Sequence, residues 1–202
     1  AGYQLAFHAV SEPMIAAALT ALEYIDKKSR VSGRRHRIEH CSECPDYLLD
    51  RIHKYGAVIV TQPPFIYYNG ERYLATVAPS QQPYLYRLKS PLQHGITIAG
   101  SSDAPVVPND PLTGICAAVT RQAASGQFLL PEEAISPEEA IGLYTVNAAF
   151  ASFEERIKGS LAPGKLADMV LLDDDPTAIP PDEIKNIKVA MTIVGGKVVW
   201  ER

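Results

Sequence analysis

Residues 36–61 read HRIEHCSECPDYLLDRIHKYGAVIVT. The hydrophobic period changes twice along this stretch. His36 to His40 reads as a short strand and Asp46 to Tyr55 as a helix. Gly56 stands where a C-terminal glycine commonly stops a helix. Ala57 to Thr61 is apolar and β-branched, the signature of a strand covered on both faces. Strand, helix and strand in one run make a βα unit, and such units in series build a parallel sheet.

The same alternation extends in both directions. Upstream, Gln4 to His8 is a strand candidate. Pro13 to Lys28 then carries Met14, Ala17, Ala18, Ala21, Leu22 and Ile25 at helical spacing, with Ser11, Glu12 and Pro13 as entry chemistry. Downstream, residues 62–82 are rich in Pro and Tyr and predict a long loop with one short helix; such loops often serve function. Tyr84 to His94 predicts a further helix, and Ile96 to Ala99 a fourth strand closed by Gly100-Ser101-Ser102-Asp103. Two more helices are expected over Asp110 to Ala124 and Pro137 to Val146. Beyond about residue 158 the period becomes that of strands, over Ala167 to Leu172 and Val189 to Trp200, the latter with a Gly195-Gly196 hairpin turn. The expected architecture is α/β: about four βα units over 1–158, then a small all-β unit over 159–202.

Composition narrows the function classes. The chain has 202 residues and a formal net charge of -4, and its densest basic run is Arg34-Arg35-His36-Arg37. Nucleic acid is therefore not an expected partner. No apolar stretch approaches the ~20 residues of a membrane helix, so no membrane association is expected. The start has neither a Met nor the pattern of a signal peptide, and the natural N-terminus is expected to lie elsewhere. Three cysteines do not make a disulfide framework, which points to a reducing, cytoplasmic location. Cys41 and Cys44 form a C-x-x-C, but a zinc knuckle needs a second ligand pair, and none follows. Two thiols at a strand-to-helix turn is the simpler reading.

Three residues sit where strands end. His8 closes the first, His40 the second, and Asp103 follows the fourth. Parallel α/β folds gather catalytic groups at those ends. Two imidazoles and a carboxylate converging there would suit Zn²⁺ or a similar ion. Taken singly, each has an ordinary reading: a histidine capping a strand, or an Asp capping a turn in Ser-Ser-Asp-Ala-Pro.

Four motifs carry a family resemblance. Phe7-His8-Ala9-Val10, Arg37-Ile38-Glu39-His40 and Gly100-Ser101-Ser102-Asp103-Ala104-Pro105 resemble the fifth, sixth and eighth strand-end segments of the amidohydrolase superfamily. Gly159-Ser160-Leu161-Ala162-Pro163-Gly164-Lys165-Leu166-Ala167-Asp168 resembles the G-x-L-x-P-G-K-x-A-D entry to its C-terminal β unit, and Thr192 to Val199 resembles its T-x-V-G-G-x-V ending. The chain is similar over its whole length to family-3 amidohydrolases, the type that includes N-substituted formamide deformylase.

The resemblance implies the C-terminal half of a TIM-type (β/α)8 barrel, strands 5–8, with residues 159–202 contributing to a composite β-sandwich. It implies hydrolysis of a non-peptide C–N bond in a small amide or N-acyl compound. His8, His40 and Asp103 would be ligands to one or two Zn²⁺ or other divalent ions, with Asp103 also the general base. Glu12 and Glu39 would be candidate substrate contacts. The family's Gly-Asp after the first of these strands is here Ser11-Glu12, one methylene longer at the carboxylate. The family's H-x-H and its bridging carboxylate or lysine have no counterpart in this sequence. A full barrel takes ~250 residues, so the N-terminal half is expected to lie outside this chain. By itself the chain is expected to hold metal weakly or not at all.

Two other readings stay open: an inactive scaffold or interaction module, and a small α/β enzyme with Cys41 or Ser101 as nucleophile. Phe65, Tyr67 and Tyr68 would either shape a pocket mouth or cover the core. An open half-barrel with an apolar inner face predicts a homodimer or higher oligomer.

Overall fold

The computed structural model describes residues 2–202. Four parallel strands lie in sequence order: β1 (Ala6–Ala9), β2 (Arg37–His40), β3 (Val58–Thr61) and β4 (Ile98–Gly100). Between them run α1 (Glu12–Asp26), α2 (Asp46–Tyr55), α3 (Pro64–Thr76) and the short α4 (Lys89–Gln93). After β4 come α5 (Pro111–Thr120), α6 (Pro137–Tyr144) and α7 (Val146–Ala151). The antiparallel sheet β5 (Met169–Leu172), β6 (Val189–Val194) and β7 (Lys197–Glu201) closes the chain. This is the expected partial barrel followed by a small β sheet.

Register shows how the parallel sheet divides its faces. Phe7, Ile38, Ile59 and Ile98 are mutual neighbours across the four strands. This row meets Ile15, Leu19 and Leu22 of α1 and Leu48, Leu49 and Ile52 of α2 in one core. Because side chains alternate along a strand, the next row, His8, Glu39, Val60 and Ala99, lies on the opposite face. That face is only in part the apolar lining expected of a half-barrel. Arg37 Nε and Glu39 Oε1 pair on it at 2.8 Å, beside Val58, Val60 and Ala99, which α7 covers with Ala148, Phe150 and Ala151.

Two stretches differ from their sequence reading. Residues 62–82 are mostly helix, not loop, since α3 runs for 13 residues. Pro63-Pro64 suits a first turn, whose N–H groups need no intrahelical partner. Gly70 then lets α3 approach closely, for a Cβ there would stand 3.0 Å from the Cβ of Ala123. Conversely, the helix expected over Tyr84 to His94 shrinks to Lys89–Gln93. Long-range partners capture its backbone. Arg121, fully buried, donates to the carbonyls of Tyr86 (2.7 Å), Leu85 (3.2 Å) and Leu129 (3.0 Å). Buried Glu133 accepts from the N–H groups of Leu88 and Ser90. The β tail is also less separate than its composition suggests. Ile184 and Ile187, between β5 and β6, insert into the main core.

Candidate metal centre

The four parallel strands end on one rim, where a side chain from each joins a single hydrogen-bonded row. His40 Nε2 lies 3.1 Å from His8 Nδ1, the rings edge to face with centroids 4.6 Å apart. On its other side, His40 Nδ1 meets Gln62 Oε1 at 2.8 Å. Gln62 Nε2 donates to Ser101 Oγ at 3.0 Å. The row thus crosses from β1 to β4. His40 and Gln62 are buried, 8% and 2% exposed, whereas His8 is exposed.

Local backbone explains why the imidazoles meet. Regular alternation would turn His40 toward the helices with Ile38. Instead His40 and Cys41 take left-handed φ values of 73° and 52°. The chain kinks as it leaves β2, and Cys41 N still reaches Ala9 O at 3.0 Å. Asp103 is left-handed as well, with φ 55°. Such conformations in non-glycine residues cost about 1–3 kcal/mol each and collect at functional sites.

Asp103 lies on the same rim but apart from the histidine pair. It is exposed and lines a cavity of about 430 Å³ with Ser101, Ser102, Asp110 and Tyr144. The Tyr144 hydroxyl is buried without a partner. Burial, and secondarily Asp110, push its pKa further up, so it stays neutral. Among the described residues, no three His, Cys, Asp or Glu side chains gather as a donor set. The structure therefore brings together His8 and His40 of the expected three.

The candidate substrate carboxylates are already engaged. Glu12 accepts from Tyr47 Oη at 2.7 Å and from Gln81 Nε2 at 3.1 Å, and the hydrogen bond to Glu12 raises the Tyr47 pKa. Glu39 is paired with Arg37. Phe65 and Tyr67 pack into a second core cluster, and Tyr68 is exposed. Cys41 and Cys44 are buried at the β2–α2 turn. The hydrogen bond that the Cys41 thiol donates to Cys44, and then burial, hold it well above its ordinary pKa, so it is a poor nucleophile.

Sequence reading missed Gln62 and saw Ser101 only as a candidate nucleophile. The signal was present, because Gln62 directly follows β3 and so stands at the same strand-end rim as His8 near the end of β1, His40 at the end of β2 and Asp103 after β4.

The residues present fit a divalent ion. Two nitrogens bound to one tetrahedral Zn²⁺ at ~2.0–2.1 Å stand about 3.3 Å apart, close to the 3.1 Å between the two rings. That distance also suits a hydrogen bond between neutral imidazoles. The hydrogen bond from the other nitrogen of His40 to Gln62 matches the outer support that metal-binding histidines usually have.

The sequence matches the model of the Amidohydrolase family over residues 1–200. The chain belongs to that family. It is 29% identical over 204 residues to YtcJ of Bacillus subtilis, covering 100% of this chain and 38% of YtcJ. It is also 29% identical over 202 residues to N-substituted formamide deformylase of Arthrobacter pascens, covering 100% of this chain and 37% of that protein. The chain thus spans less than two-fifths of the length of these curated relatives. Among solved structures, a metal-dependent hydrolase from Pyrococcus horikoshii matches with a TM-score of 0.76 at 28% identity, over 89% of this chain and 36% of that one. The family and the partial-barrel fold both agree with the strand-end and tail motifs.

Proposed function

We propose that this chain supplies His8 and His40 to the divalent-metal centre of an amidohydrolase acting on a non-peptide C–N bond in a small amide or N-acyl compound. The observation that carries the reading is the pair of ring nitrogens 3.1 Å apart at the rim where the strands end. Zinc is the expected ion. When bound, such an ion lowers the pKa of a coordinated water toward ~7 and polarises a carbonyl.

The chain's own groups have separable roles. His8 presents Nδ1 from the exposed end of β1, and His40 presents Nε2 from a buried position. Asp103, on the same rim, takes the proton of the attacking water and returns it to the leaving amine as general base and acid. Its exposed carboxylate borders a cavity lined with Ser101, Ser102 and Tyr144, which supports that role. We further propose that residues 1–202 alone are inactive, since no three His, Cys, Asp or Glu side chains among the described residues gather to hold a metal.

The test is hydrolysis of formamides and N-acyl amines by the intact protein, before and after chelation. Activity lost to a chelator and restored by Zn²⁺ is the expected result. Equal rates in chelated and metal-loaded protein would exclude the reading. Amide hydrolysis by residues 1–202 supplied with Zn²⁺ would overturn the inactivity of this segment alone.

A further inference from the structure

We infer that Gln62 is a positioning residue for His40: it decides which ring nitrogen carries the proton and so which one faces His8 and any shared cation. The inference rests on the proposed role of the histidine pair.

Gln62 is 2% exposed, so its amide has no solvent with which to trade partners. Its orientation follows from what surrounds it. The nitrogen end faces Ser101 Oγ at 3.0 Å and the carbonyl of Val60 at 3.5 Å. A carbonyl can only accept, so the NH₂ group belongs on that side. The amide oxygen is then directed at His40 Nδ1, 2.8 Å away. An oxygen there accepts only if Nδ1 bears hydrogen. A neutral imidazole with hydrogen on Nδ1 has its lone pair on Nε2, and Nε2 is the nitrogen 3.1 Å from His8. The orientation of one buried amide therefore propagates along the row to the nitrogen that can bind an ion.

The arrangement also spans the sheet. Gln62 follows β3, receives from the residue that ends β2, and donates to the residue that follows β4. A neutral amide does this without burying a charge, which would be costly at 2% exposure. A merely structural role makes a different claim. A polar side chain that only fills space would affect stability, without controlling the tautomer of His40 or metal affinity.

The experiment uses the intact protein with ¹⁵N-labelled histidine rings, metal-free, together with Zn²⁺ affinity from competition with a chromophoric chelator. In the unaltered protein, His40 is expected as the Nδ1–H tautomer. Gln62→Leu should abolish that preference and weaken Zn²⁺ binding by about 10–100-fold, the usual loss when an outer hydrogen bond to a ligand is removed. Gln62→Glu, which keeps an acceptor at the same place, should restore the tautomer and most of the affinity. Ser101→Ala should give a smaller loss, and with Gln62→Glu it carries the test if Gln62→Leu does not fold. An Nε2–H tautomer in the unaltered protein would overturn the inference. So would Gln62→Leu protein with tautomer and affinity unchanged. A tautomer that follows Gln62 in a protein that binds no Zn²⁺ would uphold the positioning role and instead remove the metal reading.

Discussion

Where the parallel strands begin, Arg35 grips Glu155 through two hydrogen bonds of 2.9 and 2.7 Å and the Phe150 carbonyl through a third of 2.7 Å. Its guanidinium lies 3.6 Å over the Phe150 ring. Gln4 adds bonds to the carbonyls of Arg35 and Ala151, and Asn147 reaches the Ile98 carbonyl. Where the strands end, the row joins two imidazoles, an amide and a hydroxyl, with no carboxylate or guanidinium among them. The first rim commits its charges to holding α7 against the sheet. The second keeps His8 exposed and Asp103 unpaired at a cavity. In barrels of this kind, the end where strands begin serves stability and the end where they finish serves chemistry. The difference here comes from which groups have spent their bonds on each other.

Substitutions should separate the two rims, and the largest effect is expected at the strand ends. His8→Ala in the intact protein should weaken Zn²⁺ binding by more than the ~100-fold upper range for an outer hydrogen bond. Its melting temperature should change little, because the His8 side chain is exposed. A melting point that falls together with metal affinity would mean the row is a structural brace like the other rim.

The reciprocal substitution, Arg35→Met, should lower the melting temperature by roughly 5–10 °C, the size expected when a part-buried network in a domain of this size loses several bonds. Zn²⁺ affinity should stay within about twofold, in line with additivity between distant sites. Thermal melts and chelator competition on the same samples decide the matter. Metal affinity that falls with Arg35→Met would show that the rims are coupled.

Smaller effects should follow pH, all at the rim where the strands begin. Arg35 holds the Glu155 carboxyl down to about 2, from an ordinary 4.5. A depressed acid contributes stability above its unfolded value and loses it as pH falls toward the folded one. The stability gap between the unaltered protein and Arg35→Met should therefore narrow between about pH 4.5 and pH 2. His36 should add a step at milder pH. Burial, helped by Arg34, lowers its pKa below 6.5, while its Nδ1 accepts from Leu5 N at 3.0 Å. The unfolded chain binds that proton more readily, so stability should decline as pH falls below about 6.5. Melting curves for His36→Gln that keep the same decline would assign it elsewhere.

The helix errors show why local reading stopped where it did. Tyr84 to His94 has acceptable helical spacing, yet Arg121 and Glu133 bind its backbone from about 35 to 45 residues away. Nothing within the stretch announces those partners. The Pro- and Tyr-rich run after β3 is a helix that packs on α5, with Gly70 close to Ala123 just beyond it, a tertiary contact that weak local propensity does not reveal. The inner face has a similar lesson. The alternation in Arg37-Ile38-Glu39 was legible, but which residues of the sheet would face the helices depended on register with β1 and β3.

The sequence by itself determined the order of strands and helices, the family, and the strand-end positions of His8, His40 and Asp103. Those follow from periodicity and from motifs a few residues long, which survive without any knowledge of distant neighbours. Tertiary structure alone decided that His40 bends through a left-handed backbone to meet His8, that Gln62 and Ser101 complete the row, and that Asp103 stands outside it. Hydrogen bonds between side chains from four strands depend on register and on tenths of an ångström, and neither is written in any one strand.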